Sequence, residues 1–288
     1  MKLLVRGKEI TFPRQPLVMG IVNLCADSFS GDGLVDVDAA LAKARQMVAD
    51  GADIIDVGGE SAGTKRAAMP EQEEIANLLP FVERFREEAA TMAPRDAAQH
   101  FPPILSINTW RPAVARSVLH VGGDLLNDIG ALSTDENARI CAETGAALLI
   151  MHTVGQPKVA HTHVQYDDLW MSLEQFFREK IAMAANAGVP LDSIVLDPGI
   201  DFAKQKDDNL RIYRELQRLH QFGRPILLPV SRKTVIGDVL GLPPAERDAG
   251  TVACVVSGLL RGAQIFRVHN VRAAAEAVRM ISAVFVKE

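Results

Sequence analysis

Eight short apolar runs recur along the chain: Leu17–Leu24, Asp53–Gly58, Ile104–Asn108, Leu125–Ile129, Ala147–His152, Ile194–Pro198, Ile226–Ser231 and Gln264–Val268. They are mostly continuous rather than alternating, as in strands buried on both faces of a parallel sheet. Between them, apolar positions return at helical spacing. Asp38–Asp50 carries Ala39, Leu41, Ala42, Ala44 and Met47, and Glu71–Glu88 carries Ile75, Leu78, Leu79 and Phe81 with charges opposite. Pro112–Val121 and Asp135–Thr144 predict short helices. Asp167–Ala187, Asn209–Phe222, Pro244–Arg261 and Arg272–Val284 predict longer amphipathic ones. Gly51, Gly145, Gly188, Gly223 and Gly262 stand where a helix needs a left-handed C-terminal cap.

Eight β-then-α units predict a (β/α)8 TIM barrel. A doubly wound open sheet is the rival, but no G-x-G-x-x-G follows the first run. Residues 1–15, MKLLVRGKEITFPRQ, read as a short N-terminal hairpin turning at Arg6-Gly7-Lys8. It precedes the barrel and is placed to plug its N-terminal mouth. No repeat, low-complexity tract or linker breaks the pattern, so residues 1–288 are expected to form one domain.

Composition narrows the function. The 288 residues carry a net charge of -5, mixed along the chain without a basic block, which argues against nucleic acid as a partner. No apolar stretch reaches the ~18–20 residues of a membrane span, and the N-terminus does not read as a signal peptide. Three cysteines, Cys25, Cys141 and Cys254, are widely spaced, as expected of a reduced cytoplasmic protein without a disulfide framework. His161-Thr-His163 is the nearest approach to metal-ligand spacing and reads as a solvated pair.

The chemistry gathers where the apolar runs stop, which in a barrel is the active end. In order these ends carry Asn23; Asp56 leading into Gly58-Gly59-Glu60-Ser61; Asn108-Thr109; Asn127-Asp128; Met151-His152; Asp197-Pro198-Gly199; Ser231-Arg232-Lys233; and Arg267, His269 and Asn270. Any one Asp or Asn after a strand is usually a cap or turn residue, and Asp128 and Asn270 are read so. Eight polar ends together point to a site. Asn108, Asn127, Asp197 and Lys233 suit the amide and amine edges of a flat heterocycle. Asn23, Arg267, His269 and Arg66 suit an anion, and the amide oxygen of Asn23 suits Mg²⁺.

The segments GIVNLCADSFSGDG (20–33), GADIIDVGGES (51–61), LLNDIG (125–130), LDPGIDFAK (196–204), SRKTVIG (231–237) and FRVHNV (266–271) resemble the dihydropteroate synthase family of pterin-binding barrels over nearly the whole chain. The resemblance implies condensation of 6-hydroxymethyl-7,8-dihydropterin diphosphate with p-aminobenzoate, with release of diphosphate. It implies Asp197 and Lys233 as the catalytic pair. Asn108, Asn127, Met151, Asp197, Phe202 and Lys233 would line the pterin pocket. Phe29, Arg232 and Thr234 would serve p-aminobenzoate, with Thr234 at a helix N-terminus. Asn23, Arg267 and His269 would take the diphosphate, with Mg²⁺ at Asn23. A homodimer through late helices is implied, and Val252–Leu260 is apolar enough for such a face.

Three departures touch catalysis or the second substrate. The third run ends Ile107-Asn108-Thr109 where the family has V-D-T. An amide there forgoes a charge-assisted bond worth about 1.5–3 kcal/mol. Loop one reads Cys25-Ala26-Asp27-Ser28-Phe29, without the family's Pro. Loop two reads Glu60-Ser61-Ala62-Gly63-Thr64-Lys65-Arg66, with Thr64 and Arg66 displaced from the family's positions. A divergent pterin-binding paralogue and a pterin-dependent methyltransferase therefore stay open beside the synthase; the Arg267/His269 pair opposes the methyltransferase, since a methyl donor carries no diphosphate.

Overall fold

A computed structural model describes residues 1–24, 36–60, 68–159, 161 and 163–285. A hairpin opens the chain, β1 (Lys2–Val5) antiparallel to β2 (Lys8–Thr11). Eight parallel strands follow: β3 (Leu17–Asn23), β4 (Ile54–Gly58), β5 (Ile104–Asn108), β6 (Leu125–Asp128), β7 (Ala147–Met151), β8 (Ile194–Asp197), β9 (Leu227–Pro229) and β10 (Ile265–Val268). Their order is β8-β7-β6-β5-β4-β3-β10-β9. A parallel bridge between Leu196 and Ile226 joins the two ends, so the sheet closes into the expected barrel.

Helices cover the outside: α1 (Val37–Asp50), α2 (Glu71–Glu88), α3 (Pro112–Val121), α4 (Glu136–Thr144), α5 (Leu169–Asn186), α6 (Lys206–Glu215), α7 (Thr234–Leu240), α8 (Asp248–Leu260) and α9 (Val271–Phe285). Their starts follow side-chain capping. Asp36 accepts from Asp38 N, Asp168 accepts from Trp170 N and Met171 N, and Gln205 with Asp208 forms a reciprocal capping box. The five glycines expected to end helices all have positive φ, from 63° at Gly223 to 112° at Gly51. Two helices differ from expectation. The run from Asn209 to Phe222 continues past α6 as a 3-10 turn over Leu216–Phe222, and Pro244–Glu246 forms a 3-10 turn separate from α8. Hydrophobic spacing did not predict α7, whose seven residues are too few to show a period.

Strand alternation sorts the core into two. Val18, Ile55, Leu105, Leu126, Leu148, Ile194, Leu228 and Phe266 face outward and pack with the helices. Leu17, Met19, Ile54, Ile104, Leu125, Leu149, Val195, Leu227 and Ile265 fill the barrel interior. Leu3, Val5, Ile10 and Phe12 of the hairpin join that interior cluster, so the hairpin floors the barrel as expected. Apolar side chains thus occupy the lower interior, and polar ones are left for the opposite mouth.

Candidate active site

Moving up the inward-facing positions, side chains change from apolar to polar at one level. Ile54 gives way to Asp56, Ile104 to Ser106, Leu125 to Asn127, Val195 to Asp197 and Ile265 to Arg267. Asp56 is wholly buried at the centre of this layer. Its Oδ1 accepts from Ser106 Oγ at 2.6 Å and from Asn127 Nδ2 at 3.2 Å. Its Oδ2 receives Arg267 Nε at 2.7 Å, with Nη2 also at 2.7 Å. A buried carboxylate without such partners would cost several kcal/mol; here it fixes the direction of both Asn127 and Arg267.

Asn127 spends its donor group on Asp56, leaving its buried Oδ1 without a hydrogen-bond partner among the described residues. A buried acceptor left open in this way suits a donor from a ligand. Asn108 lies beside Asn127 in register, half-buried, and its side-chain amide makes no hydrogen bond to the described residues. Met151 and Asp197 are likewise register partners across β7 and β8. Asp197 Oδ1 accepts from Gly199 N at 2.7 Å. Burial pushes the Asp197 carboxyl up to about 6, against the bond from Gly199 and the positive charges of Lys233, Lys204 and Arg267. Gly199 has φ 69°, and a Cβ there would overlap the carbonyl of His152.

Lys233 Nζ donates to Ile200 O at 2.8 Å and lies 4.8 Å from the centre of the Phe202 ring. Burial lowers its pKa, opposed by Asp201 and Asp197. The six side chains expected to hold a pterin therefore lie around the C-terminal mouth, four on adjacent strands β5–β8 and two on the loops after β8 and β9.

The residues expected at the second substrate are more committed. Arg232, at φ 55°, pairs with Asp248 (Nε–Oδ1 2.9 Å). Thr234 does begin α7, but its backbone N–H already donates to the Asp201 carboxylate. Phe29 lies outside the described residues, as do Cys25, Ser61, Thr64 and Arg66. Of the anion group, Asn23 ends β3 opposite Gly58, and His269 Nδ1 is 2.8 Å from Ser231 Oγ. Asp128 and Asn270 make the turn and cap contacts expected of them. Asp128 accepts from Gly130 N and Asn137 Nδ2, and Asn270 accepts from Ala273 N near the start of α9.

Residues 19–269 match the pterin-binding enzyme family. Dihydropteroate synthase of Escherichia coli K12 is 37% identical over 287 residues, spanning 98% of this chain and 96% of that one. The crystal structure of Yersinia pestis dihydropteroate synthase with a sulfonamide drug superposes with a TM-score of 0.89 at 36% identity, over 99% of this chain and 98% of that one. The Xanthomonas albilineans synthase with 4-aminobenzoic acid gives 0.86 at 32% identity, over 100% and 99%. The chain belongs to the dihydropteroate synthase family.

Several residues around this mouth leave little signal in the sequence. Asp56 reads from the sequence only as a strand end, and Ser106, flanked by Leu105 and Ile107, carries no signal. Lys204 stands behind Asp197, buried, with Nζ 2.8 Å from His152 Nδ1. Burial brings Lys204 down to about 7 and holds His152 well below the usual imidazole range. Arg111 ties the two sides of loop two together: Nη1 donates to Glu60 Oε2 at 2.6 Å, Nη2 donates to Met69 O at 2.9 Å, and the buried Glu74 is a third partner. Lys158, from beyond β7, also meets Glu60 at 3.4 Å. Arg247 Nη1 donates to the carbonyls of Arg232 and Lys233, at 3.1 Å each. It packs so closely on Gly237 that a Cβ there would overlap the guanidinium.

Proposed function

We propose that the protein joins p-aminobenzoate to 6-hydroxymethyl-7,8-dihydropterin diphosphate and releases diphosphate, as a single pterin-binding domain with the hairpin as its floor. It is a dihydropteroate synthase, a transferase of folate synthesis. The observation that carries this is the pairing of an unpartnered buried acceptor, Asn127 Oδ1, with a buried carboxylate, Asp197, at one mouth of the barrel. The edge of a 2-amino-pyrimidinone offers the donors that both require. Phe202 and Met151 supply apolar faces for the ring, and Lys233 supplies a donor beside it.

The chemistry asks little of a base. The C–O bond to diphosphate breaks as the pterin ring nitrogens feed electrons to the methylene carbon. Diphosphate departs with the bonding pair. The amine nitrogen then forms the new C–N bond and gives its proton to water. Asp197, still ionised at neutral pH, favours the cation that develops on the ring. Arg267, oriented by Asp56, and His269, held at Ser231, receive the leaving anion. Arg232 and Thr234, with Phe29, flank the arylamine.

Magnesium fits as an ion that arrives with the diphosphate. Among the described residues no group of three His, Cys, Asp or Glu side chains is placed to cage a metal. The amide oxygen of Asn23 is one hard donor, and Mg²⁺ commonly takes one or two protein ligands and completes its shell with phosphate and water. When bound it would neutralise leaving-group charge.

The protein is read as a cytoplasmic homodimer. Cys141 and Cys254 are free thiols, in keeping with a reducing compartment. On α8, Thr251, Val255 and Gly258 face the barrel while Leu260 is 52% exposed; on α9, Met280 and Phe285 are 64% and 63% exposed. A second copy covering these exposed apolar side chains would account for them. The proposed activity is tested by diphosphate release from the purified protein with both substrates and Mg²⁺. Release that depends on p-aminobenzoate is expected; no release with both substrates present would refute it.

A further inference from the structure

The chain between β8 and α6 is bent through positions that side-chain-bearing residues avoid. Asp201 has φ 68° and Ala203 φ 50°, and across the gap Arg232 has φ 55°. Such conformations persist only where surrounding contacts enforce them, and they gather at functional sites. Here the contacts run between the two segments. The Asp201 carboxylate accepts from Thr234 N and, at 3.2 Å, from Val235 N. Asn209, 2% exposed, holds Asp201 in turn: its Nδ2 donates to Asp201 Oδ1 at 3.1 Å, and its Oδ1 accepts from Asp201 N at 2.8 Å. In the reverse direction Lys233 Nζ donates to Ile200 O at 2.8 Å and sits over Phe202.

The two segments thus grip each other around Lys233. Arg247 holds the carbonyls of residues 232 and 233, and Asp201 holds the amides of residues 234 and 235. We propose that Asp201, backed by Asn209, is a positioning residue that sets Lys233 and Phe202 against each other in the pterin pocket. This rests on the reading of that pocket given above. A plain helix cap would only stabilise α7. Asp201 does more, because it adds negative charge beside Lys233 and shares one loop with Phe202 and with Ile200, whose carbonyl takes the ammonium.

The charged groups facing Lys233 are Asp201, Asp197, Arg267 and Lys204. Asp201 is foremost among those that oppose the lowering of the Lys233 pKa by burial. Removing its charge makes Lys233 lose its proton at lower pH. Removing its hydrogen bonds unfastens the loop. Substitutions weight the two effects differently, since an amide loses the charge and keeps one acceptor while Ala loses both.

The test is calorimetric titration of the full chain with 6-hydroxymethylpterin, from neutral to alkaline pH. Asp201→Ala is expected to weaken binding by about tenfold or more at neutral pH. Asp201→Asn, which keeps one of the two acceptor oxygens, should restore part of that affinity, with the alkaline loss of binding moved to lower pH. Asn209→Ala should weaken binding without moving the alkaline loss. If Asp201→Ala does not fold, the other two variants carry the test. Asp201→Ala or Asn209→Ala binding within about twofold of the parent, or an unmoved alkaline loss in Asp201→Asn, overturns the proposal while leaving the proposed function standing. A parent protein that binds no pterin overturns both.

Discussion

At the scale of single residues, Asp197 sets the pH behaviour. Its carboxyl is raised to about 6 by burial, and in the proposed site it is the ionised form that would accept two bonds from the pterin edge. Protons therefore compete with the ligand. Affinity for 6-hydroxymethylpterin is expected to fall as pH drops through about 6, approaching about tenfold per pH unit below it. Asp197→Asn should bind more weakly at neutral pH, with that slope lost. Calorimetry across the acid range checks both. For stability the sense is opposite: the folded carboxyl keeps its proton above the ordinary value of 3.8, so this contribution is present at low pH and lost as pH rises toward 6. Asn108 is the second residue of note, since its amide cannot favour a cation on the pterin as a carboxylate would. Asn108→Asp is expected to raise kcat by several-fold at saturating p-aminobenzoate, because the cation exists only near the transition state. A variant that folds, binds pterin and turns over no faster would show that this position does not limit the reaction.

At the scale of elements, the hairpin is the floor beneath the site. Leu3 is wholly buried in the interior cluster, so Leu3→Ala should cost about 2–5 kcal/mol, read as a lower urea midpoint. The folded fraction should keep its pterin affinity, since the site lies at the other mouth. The elements were largely legible in the sequence, because eight doubly buried strands leave continuous apolar runs and amphipathic helices leave a clear period. The failures have local causes. α7 has seven residues, and its start is stabilised by Asp201, distant in sequence, rather than by a cap of its own. The turn over Leu216–Phe222 continues the apolar spacing of α6 while its backbone tightens, a change the pattern of side chains does not carry.

At the scale of the molecule, the site was legible where polar residues end strands and hidden where they sit inside them. Asn127, Asp197 and Arg267 stand out at the close of apolar runs. Ser106 lies between outward-facing Leu105 and Ile107 and leaves no mark in the sequence, while Asp56, legible as the close of a run, is shown only by the closed barrel to be the centre of the polar layer. Arg111, Lys204 and Arg247 escaped notice because their partners lie far off in sequence. The exposed face of α8 and α9 bears on assembly: sedimentation equilibrium is expected to give twice the 31.2 kDa chain mass, with Met280→Glu shifting the protein toward monomer. A monomer at all concentrations would remove the dimer. The most direct measurement follows the new bond itself. The purified protein is given dihydropterin diphosphate, Mg²⁺ and p-aminobenzoate labelled with ¹⁵N at the amine, and the product is read by mass spectrometry. Dihydropteroate carrying the label, in amounts equal to the diphosphate released, is the expected result. Diphosphate released without label in any pterin product would contradict it.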